Sequence, residues 1–110
     1  MDKGSISSPI KIDNNLYFGS ADGNLYCLEA GNGREDWRFR ADHQIAGSAT
    51  VYKDAVYTGS VDGNLYAVDI SNGRLRWKFK TNKPIIGSPI VYNDILYVGS
   101  TDFIVYALLA

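Results

Sequence analysis

Apolar residues along this chain come in short runs, cut by pairs and triplets of Asp, Asn, Gly and Lys. Between residues 47 and 86 the runs cover about 48–52, 55–60, 64–69 and 74–80. They are rich in Val, Tyr, Ile, Leu and Trp, and none keeps the 3.6-residue apolar period of a helix, so each predicts a β-strand. Lys53-Asp54 separates the first two, the length of a two-residue hairpin loop, and Asp13-Asn14 and Asn93-Asp94 stand in the same place elsewhere. Asp62-Gly63 separates the next two, a strong hairpin signal because such a turn needs positive φ. Ser71-Asn72-Gly73 separates the last two. Four strands joined by tight turns predict one antiparallel meander.

That pattern repeats. Tyr17-Phe18-Gly19-Ser20-Ala21-Asp22-Gly23-Asn24-Leu25-Tyr26 returns 40 residues later as Tyr57-Thr58-Gly59-Ser60-Val61-Asp62-Gly63-Asn64-Leu65-Tyr66. After another 40 it returns altered, as Tyr97-Val98-Gly99-Ser100-Thr101-Asp102-Phe103-Ile104-Val105-Tyr106. Asn32-Gly33-Arg34 with Trp37 and Phe39 becomes Asn72-Gly73-Arg74 with Trp77 and Phe79. The single domain 1–110 thus divides into repeats 7–46, 47–86 and 87–110, the last truncated. A lone meander of this size has two faces to cover and cannot cover both, whereas stacked copies can. Four strands at a period near 40 predict an all-β fold of β-propeller blades, about 2.75 per chain. A WD-type blade is a poor match, since the chain has no Gly-His or Trp-Asp pair.

The second repeat carries Val56-Tyr57, Gly59-Ser60, Asp62-Gly63, Leu65-Tyr66-Ala67, Asp69, Gly73, Trp77 and Phe79, and the third carries Ser88-Pro89-Ile90-Val91. At these spacings the chain resembles the PQQ-like (pyrrolo-quinoline quinone) repeat of quinoprotein alcohol dehydrogenase-like propellers over almost its whole length. The stretch Ala67-x-Asp69-x-x-Asn72-Gly73 ending at Trp77 resembles that family's tryptophan-docking motif, with Asn72 where Thr is usual. Cys27-x-Glu29-x-x-Asn32-Gly33 ending at Trp37 is a looser copy. The resemblance implies that Trp37 and Trp77 pack across to a neighbouring blade, where the small residue and glycine of the motif make room. Trp suits that task, offering a large apolar area with one N–H to satisfy. It also implies a precedent for propellers that organise protein assemblies, and an alternative in which the chain is part of a PQQ-dependent dehydrogenase. PQQ and calcium enter only through the resemblance. The cofactor-site disulfide of some members is impossible here, because Cys27 is the only cysteine.

Composition removes several classes. Eleven Lys+Arg against 12 Asp+Glu leave a net charge of −1, without the basic excess of a nucleic-acid binder. With 45% hydrophobic and 21% charged residues the chain has a globular, not a disordered, composition. No apolar run nears the ~20 residues of a membrane span. The opening MDKGSISSPI lacks a signal-peptide pattern; the family is often extracytoplasmic, and the compartment is not legible here. No catalytic, cofactor or metal residue is identified. His43 reads as a loop residue between blades, without a second metal ligand nearby. Asp22 and Asp62, with Gly23 and Gly63, read as turn residues in preference to calcium ligands, and Asp102 takes the same place in the third copy. Ser8, Ser48 and Ser88 begin inner strands with no general base beside them in sequence. Arg74, Arg76, Lys78, Lys80 and Lys83 read as the solvated side of an outermost strand, with a polyanion stripe as the sharper alternative.

The third repeat departs from the others. Phe103-Ile104 replaces Gly-Asn, so its turn must differ or widen. Leu109 replaces the acid of Glu29 and Asp69, making the 103–110 stretch apolar on both faces. The expected fourth strand falls beyond residue 110. Open blade faces and the 103–110 edge therefore predict association of two or three chains, or a longer propeller. The expected role is a non-enzymatic scaffold or binding module with a protein or small-ligand partner.

Overall fold

A computed structural model describes residues 9–41, 43–45, 49–81, 83–85, 88–99 and 105–110. The strands are β1 (Ile10–Ile12), β2 (Asn15–Gly19), β3 (Asn24–Glu29), β4 (Glu35–Arg40), β5 (Thr50–Tyr52), β6 (Ala55–Gly59), β7 (Asn64–Asp69), β8 (Leu75–Lys80), β9 (Ile90–Tyr92), β10 (Ile95–Gly99) and β11 (Val105–Leu109). They form three antiparallel sheets, each in sequence order: β1–β4, β5–β8 and β9–β11. Each sheet is a propeller blade, and the expected 40-residue spacing is kept strand by strand.

The register is the same in the first two blades. Leu25 lies opposite Phe39 and Cys27 opposite Trp37, as Leu65 lies opposite Phe79 and Ala67 opposite Trp77. Both outer pairings also slip by one residue, after Cys27 and after Ala67, a bulge the sequence does not announce.

The turns divide the positive-φ work in an unexpected way. In the two-residue loops it falls on ordinary side chains, Asp13, Lys53, Asn93 and Asp94. Glycine takes it in the longer loops, where Gly63 at φ 89° follows Asp62 and Gly73 at φ 76° follows Asn72. The altered turn expected around Phe103-Ile104 lies outside the described residues, as do Ser8, Ser48 and Asp102.

Strand alternation explains how the blades stack. In blade 2, Val56, Tyr66 and Val68 point back and join Tyr17, Leu25, Cys27 and Trp37 of blade 1 in one core. Tyr57, Leu65 and Ala67 point forward and join Leu96 and Val98 of blade 3 in a second core. Both faces of the middle sheet are buried, so β6 is buried at every position. Its sequence accordingly lacks a regular polar alternate and carries Thr58 as its one polar side chain, fully buried. Burying one Leu or Val side chain contributes about 1.5–3 kcal/mol, so losing either neighbour is costly.

The linker between blades is fixed from both sides. The Ala41 N–H donates to Gly23 O at 2.8 Å, and the Val61 N–H of blade 2 donates to Gln44 O at 3.0 Å. Ile45 and Ile85 follow the outer strands of their repeats and plug the tops of the cores, at 4% and 0% exposure. They fit only because a glycine lies beneath each. A Cβ on Gly59 would stand 2.3 Å from Ile85 Cγ2, and one on Gly19 the same distance from Ile45 Cγ2. Gly59→Ala is therefore an overpacking change, expected to cost about 1–3 kcal/mol in urea unfolding. Ile85→Ala removes the Cγ2 that the new methyl meets, so Gly59→Ala should cost less in an Ile85→Ala background than in the parent chain; full stability of Gly59→Ala alone would refute the plug.

Candidate functional site

The repeated polar positions fall into two constellations, one in the turns and one between blades. In the turn of blade 1, Asp22 Oδ1 accepts from the Asn24 N–H at 3.0 Å and Oδ2 accepts from the Tyr26 hydroxyl at 2.6 Å. The Asp22 N–H donates in turn to Ser20 Oγ at 3.3 Å. Blade 2 repeats this with Asp62, Asn64, Tyr66 and Ser60 at 2.8, 2.7 and 3.2 Å. Burial pushes both carboxyls up. The hydrogen bonds from tyrosine and asparagine outweigh it, and both end below the ordinary value of 3.8. Burial first, and the carboxylate hydrogen bond second, push Tyr26 upward. The tyrosine is the part that turn chemistry alone does not reveal. Its signal is the Asp-Gly-Asn-Leu-Tyr spacing, which puts acid and phenol four residues apart on one hairpin.

The second constellation spans blades 1 and 2. The Trp37 Nε1–H donates to Ile70 O in blade 2 at 3.0 Å. The ring lies on Gly73, where a Cβ would meet Trp37 Cε3 at 2.5 Å. Tyr17 flanks the indole at 6.0 Å between centroids, and Phe39 meets Tyr66 of blade 2 at 5.1 Å. Trp77 keeps the equivalent contact with Tyr57 at 5.9 Å, and Phe79 reaches Tyr106 of blade 3 at 5.4 Å. Trp37 is buried and Trp77 only half-buried. Gly33, the counterpart of Gly73, has open space where its Cβ would be. Ala67 is fully buried opposite Trp77. Asp69 caps the end of β7: bonds from Ser71 and then Arg76 hold its carboxyl at about 2.

The remaining candidates are dispersed. His43 lies exposed in the linker between blades 1 and 2. Cys27 is buried, and burial pushes its thiol up to about 11, which removes thiolate reactivity. Ser88 is exposed before β9. Along β8, Arg76 reaches Asp54 at 3.0 Å and Asp69 at 3.1 Å, and Lys80 Nζ donates to Asp62 O at 2.9 Å. Two members of the basic row are thus engaged within their own blade. In blade 1, Arg38 pairs with Glu35 at 2.8 Å and lies over the Tyr26 ring. No helix among the described residues is long and apolar enough to cross a membrane.

Blade-like meanders, a glycine-seated indole and the Asp-Gly turn define the class as a PQQ-like β-propeller. Residues 3–110 match the family described as outer membrane protein assembly factor BamB, and the chain belongs to that PQQ-like family. Among solved structures it is similar to the computationally designed Ika4 protein, at TM-score 0.84 and 21% identity over 94% of this chain and 65% of that one. It is similar to BamB from Moraxella catarrhalis, at TM-score 0.81 and 17% identity over 93% of this chain and 31% of that one. It is also similar to quinohemoprotein alcohol dehydrogenase ADHIIG from Pseudomonas putida HK5, at TM-score 0.82 and 26% identity, covering 91% of this chain and 17% of that one. The chain therefore spans less than two thirds of each of these proteins. No curated protein matches it by sequence.

Two outcomes follow from this geometry. Gly73→Ala must strain a positive φ and displace Trp37, whereas Gly33→Ala meets only the φ penalty of roughly 1–2 kcal/mol. In chemical denaturation Gly73→Ala should be the more destabilising of the two; equal losses would disprove the seat. The lowered Asp22 and Asp62 values mean that their stabilisation is present above about pH 4. It is lost as pH falls through the folded values. The melting temperature should thus drop as pH falls below about 4. Tyr26→Phe with Tyr66→Phe should lower stability at pH 7 and flatten that drop.

Proposed function

We propose that this chain is a non-enzymatic scaffold or binding module of a PQQ-like propeller, completed by association of two or three chains or by further blades of a longer propeller. The observation that carries this reading is the forward face of blade 3. Ile90, Tyr92, Val105 and Leu109 are 64%, 67%, 71% and 77% exposed. At the position matching Val105, Leu65 in blade 2 is 0% exposed, because blade 3 covers it. A sheet face built like a blade interface but open to water favours association.

The turn carboxylates support the non-enzymatic side. Both oxygens of Asp22 and of Asp62 already accept hydrogen bonds within their own hairpins. Among the described residues, no three His, Cys, Asp or Glu side chains converge as metal ligands. With their oxygens already engaged, these carboxylates are poorly placed to hold the calcium of a quinone centre. Trp37, with its N–H on Ile70 O and its ring on Gly73, serves in this reading as the tryptophan-docking clamp between blades. The partner would be a protein or small ligand held on the assembled rim or funnel, and the structural likeness to BamB gives the scaffold class a precedent.

The solution mass by light scattering on a sizing column tests the assembly. One species of two or three chains is the expected result, and a stable monomer would overturn self-association. Titration with PQQ and calcium tests the chemistry: no bound near-ultraviolet chromophore is expected, and a saturable one would favour the dehydrogenase alternative.

A further inference from the structure

Asparagine is followed by glycine at two places in the chain, Asn32-Gly33 and Asn72-Gly73. They occupy the same turn in blades 1 and 2, just ahead of the outer strands β4 and β8. The two turns are built alike. The Gly33 N–H donates to Glu29 O at 2.8 Å, and the Gly73 N–H to Asp69 O at 2.9 Å. Asn32 Oδ1 accepts from the Arg34 N–H at 2.8 Å, and Asn72 Oδ1 from the Arg74 N–H at 2.9 Å. Both asparagines are exposed, and both glycines have positive φ, 73° and 76°. The turns differ at the glycine. Gly33 is exposed, and among the described residues only its chain neighbours come within 4 Å of where its Cβ would be. Gly73 is buried beneath Trp37, whose Nε1–H is fixed on Ile70 O of the same loop at 3.0 Å.

We propose that these turns are sites of spontaneous covalent self-modification, and that Trp37 gates the one at Asn72. The chemistry needs only solvent. The main-chain nitrogen of the glycine attacks Cγ of the asparagine side chain. The N–Cγ bond forms, the Cγ–Nδ2 bond breaks, and the amide leaves as ammonia, carrying the proton that the glycine nitrogen gave up. Water then opens the resulting succinimide at either carbonyl, giving aspartate or iso-aspartate. Glycine permits this because no Cβ shields its nitrogen or restricts its φ. In blade 2 the ring of Trp37 rests on Gly73, and the loop cannot swing that nitrogen onto Cγ without displacing the indole. Asn72 therefore reacts only from molecules in which blade 1 has let go, and its rate falls by that fraction. One contact works the other way and is weaker. Asn32 Nδ2 donates to Glu29 Oε2 at 3.0 Å, whereas Asp69 is taken by Ser71 and Arg76. The Glu29 bond is exposed, so water competes for it. Either product puts a negative charge where a neutral amide stood, and iso-aspartate also adds a carbon to the main chain. At residue 72 that lengthens the loop on which Trp37 is seated, so the glycine no longer meets the indole. Conversion of Asn72 thus records blade separation and makes it permanent.

The test incubates the 110-residue chain at mildly alkaline pH and follows both sites by peptide mapping and mass spectrometry. In the folded chain Asn72 is expected to convert at least about tenfold more slowly than Asn32. In urea, where no seat exists, the two Asn-Gly-Arg sequences should convert at like rates. In Trp37→Leu, Asn72 should speed up to the rate of Asn32, while Asn32 keeps its own. If that variant does not fold, both sites will run at the urea rate, and the comparison within the parent chain decides alone. Equal rates in the folded parent, a difference that persists in urea, or an unchanged Asn72 rate in folded Trp37→Leu would each overturn the gate. An Asn32 that stays intact in the folded chain while the urea-unfolded chain converts would overturn the modification site.

Discussion

The structure depends on one constraint: a four-stranded sheet from a 40-residue repeat exposes two apolar faces, and among the described residues no helix covers either. Each blade must therefore be covered by another blade. The middle blade satisfies this on both sides, and its two central strands, β6 and β7, are buried at all positions but Asp69. Blade 3 satisfies it on one side, and its last strand alternates between exposed and half-buried. The same strand pattern thus gives two burial patterns, set by what lies in front of it.

Holding the blades at a fixed spacing falls to a few contacts whose shapes leave little slack. Ile45 and Ile85 occupy the space that glycines 19 and 59 leave empty, and Trp37 occupies the space left by Gly73. In each case one blade supplies a large side chain and a glycine supplies the missing Cβ. Close-packed interiors make such pairs sensitive to a single added methyl. The carboxylates serve the hairpins, closing each turn onto a tyrosine of the same strand pair. The turn carboxylates that stand out in the sequence are engaged within their own hairpins, while Ile90, Tyr92, Val105 and Leu109 leave an exposed apolar face at the blade-3 end of the stack.

Much of this was legible beforehand. The repeat, the strand positions in blade 2 and the blade class followed from a 40-residue period and from turn residues at fixed offsets. Local φ requirements and face alternation govern both, and a sequence carries those directly. The Asp–Tyr pairing was present as a spacing, but geometry was needed to see that the phenol reaches the free carboxylate oxygen. The Arg76 bridge to Asp54 and Asp69 was not legible, because it joins β8 to the end of β7 and to the β5–β6 turn through side chains 22 and 7 residues apart. The bulge after Ala67 left no mark, since backbone slippage needs no special residue there.

The sequence alone determined the period, the strands, the turns and which residue types face each other across a hairpin, because all of these are short-range consequences of sterics and alternation. Only the tertiary structure decided which of the two like tryptophans is sealed. Trp37 has a following blade with a glycine at the right height, whereas among the described residues no glycine of the third sheet seats Trp77, which is half-buried. It also decided that equivalent residues, Leu65 at 0% and Val105 at 71% exposure, have opposite fates. Burial is a property of the neighbour as much as of the residue, and a neighbour 40 residues away in the chain is placed by stacking, which no local pattern contains.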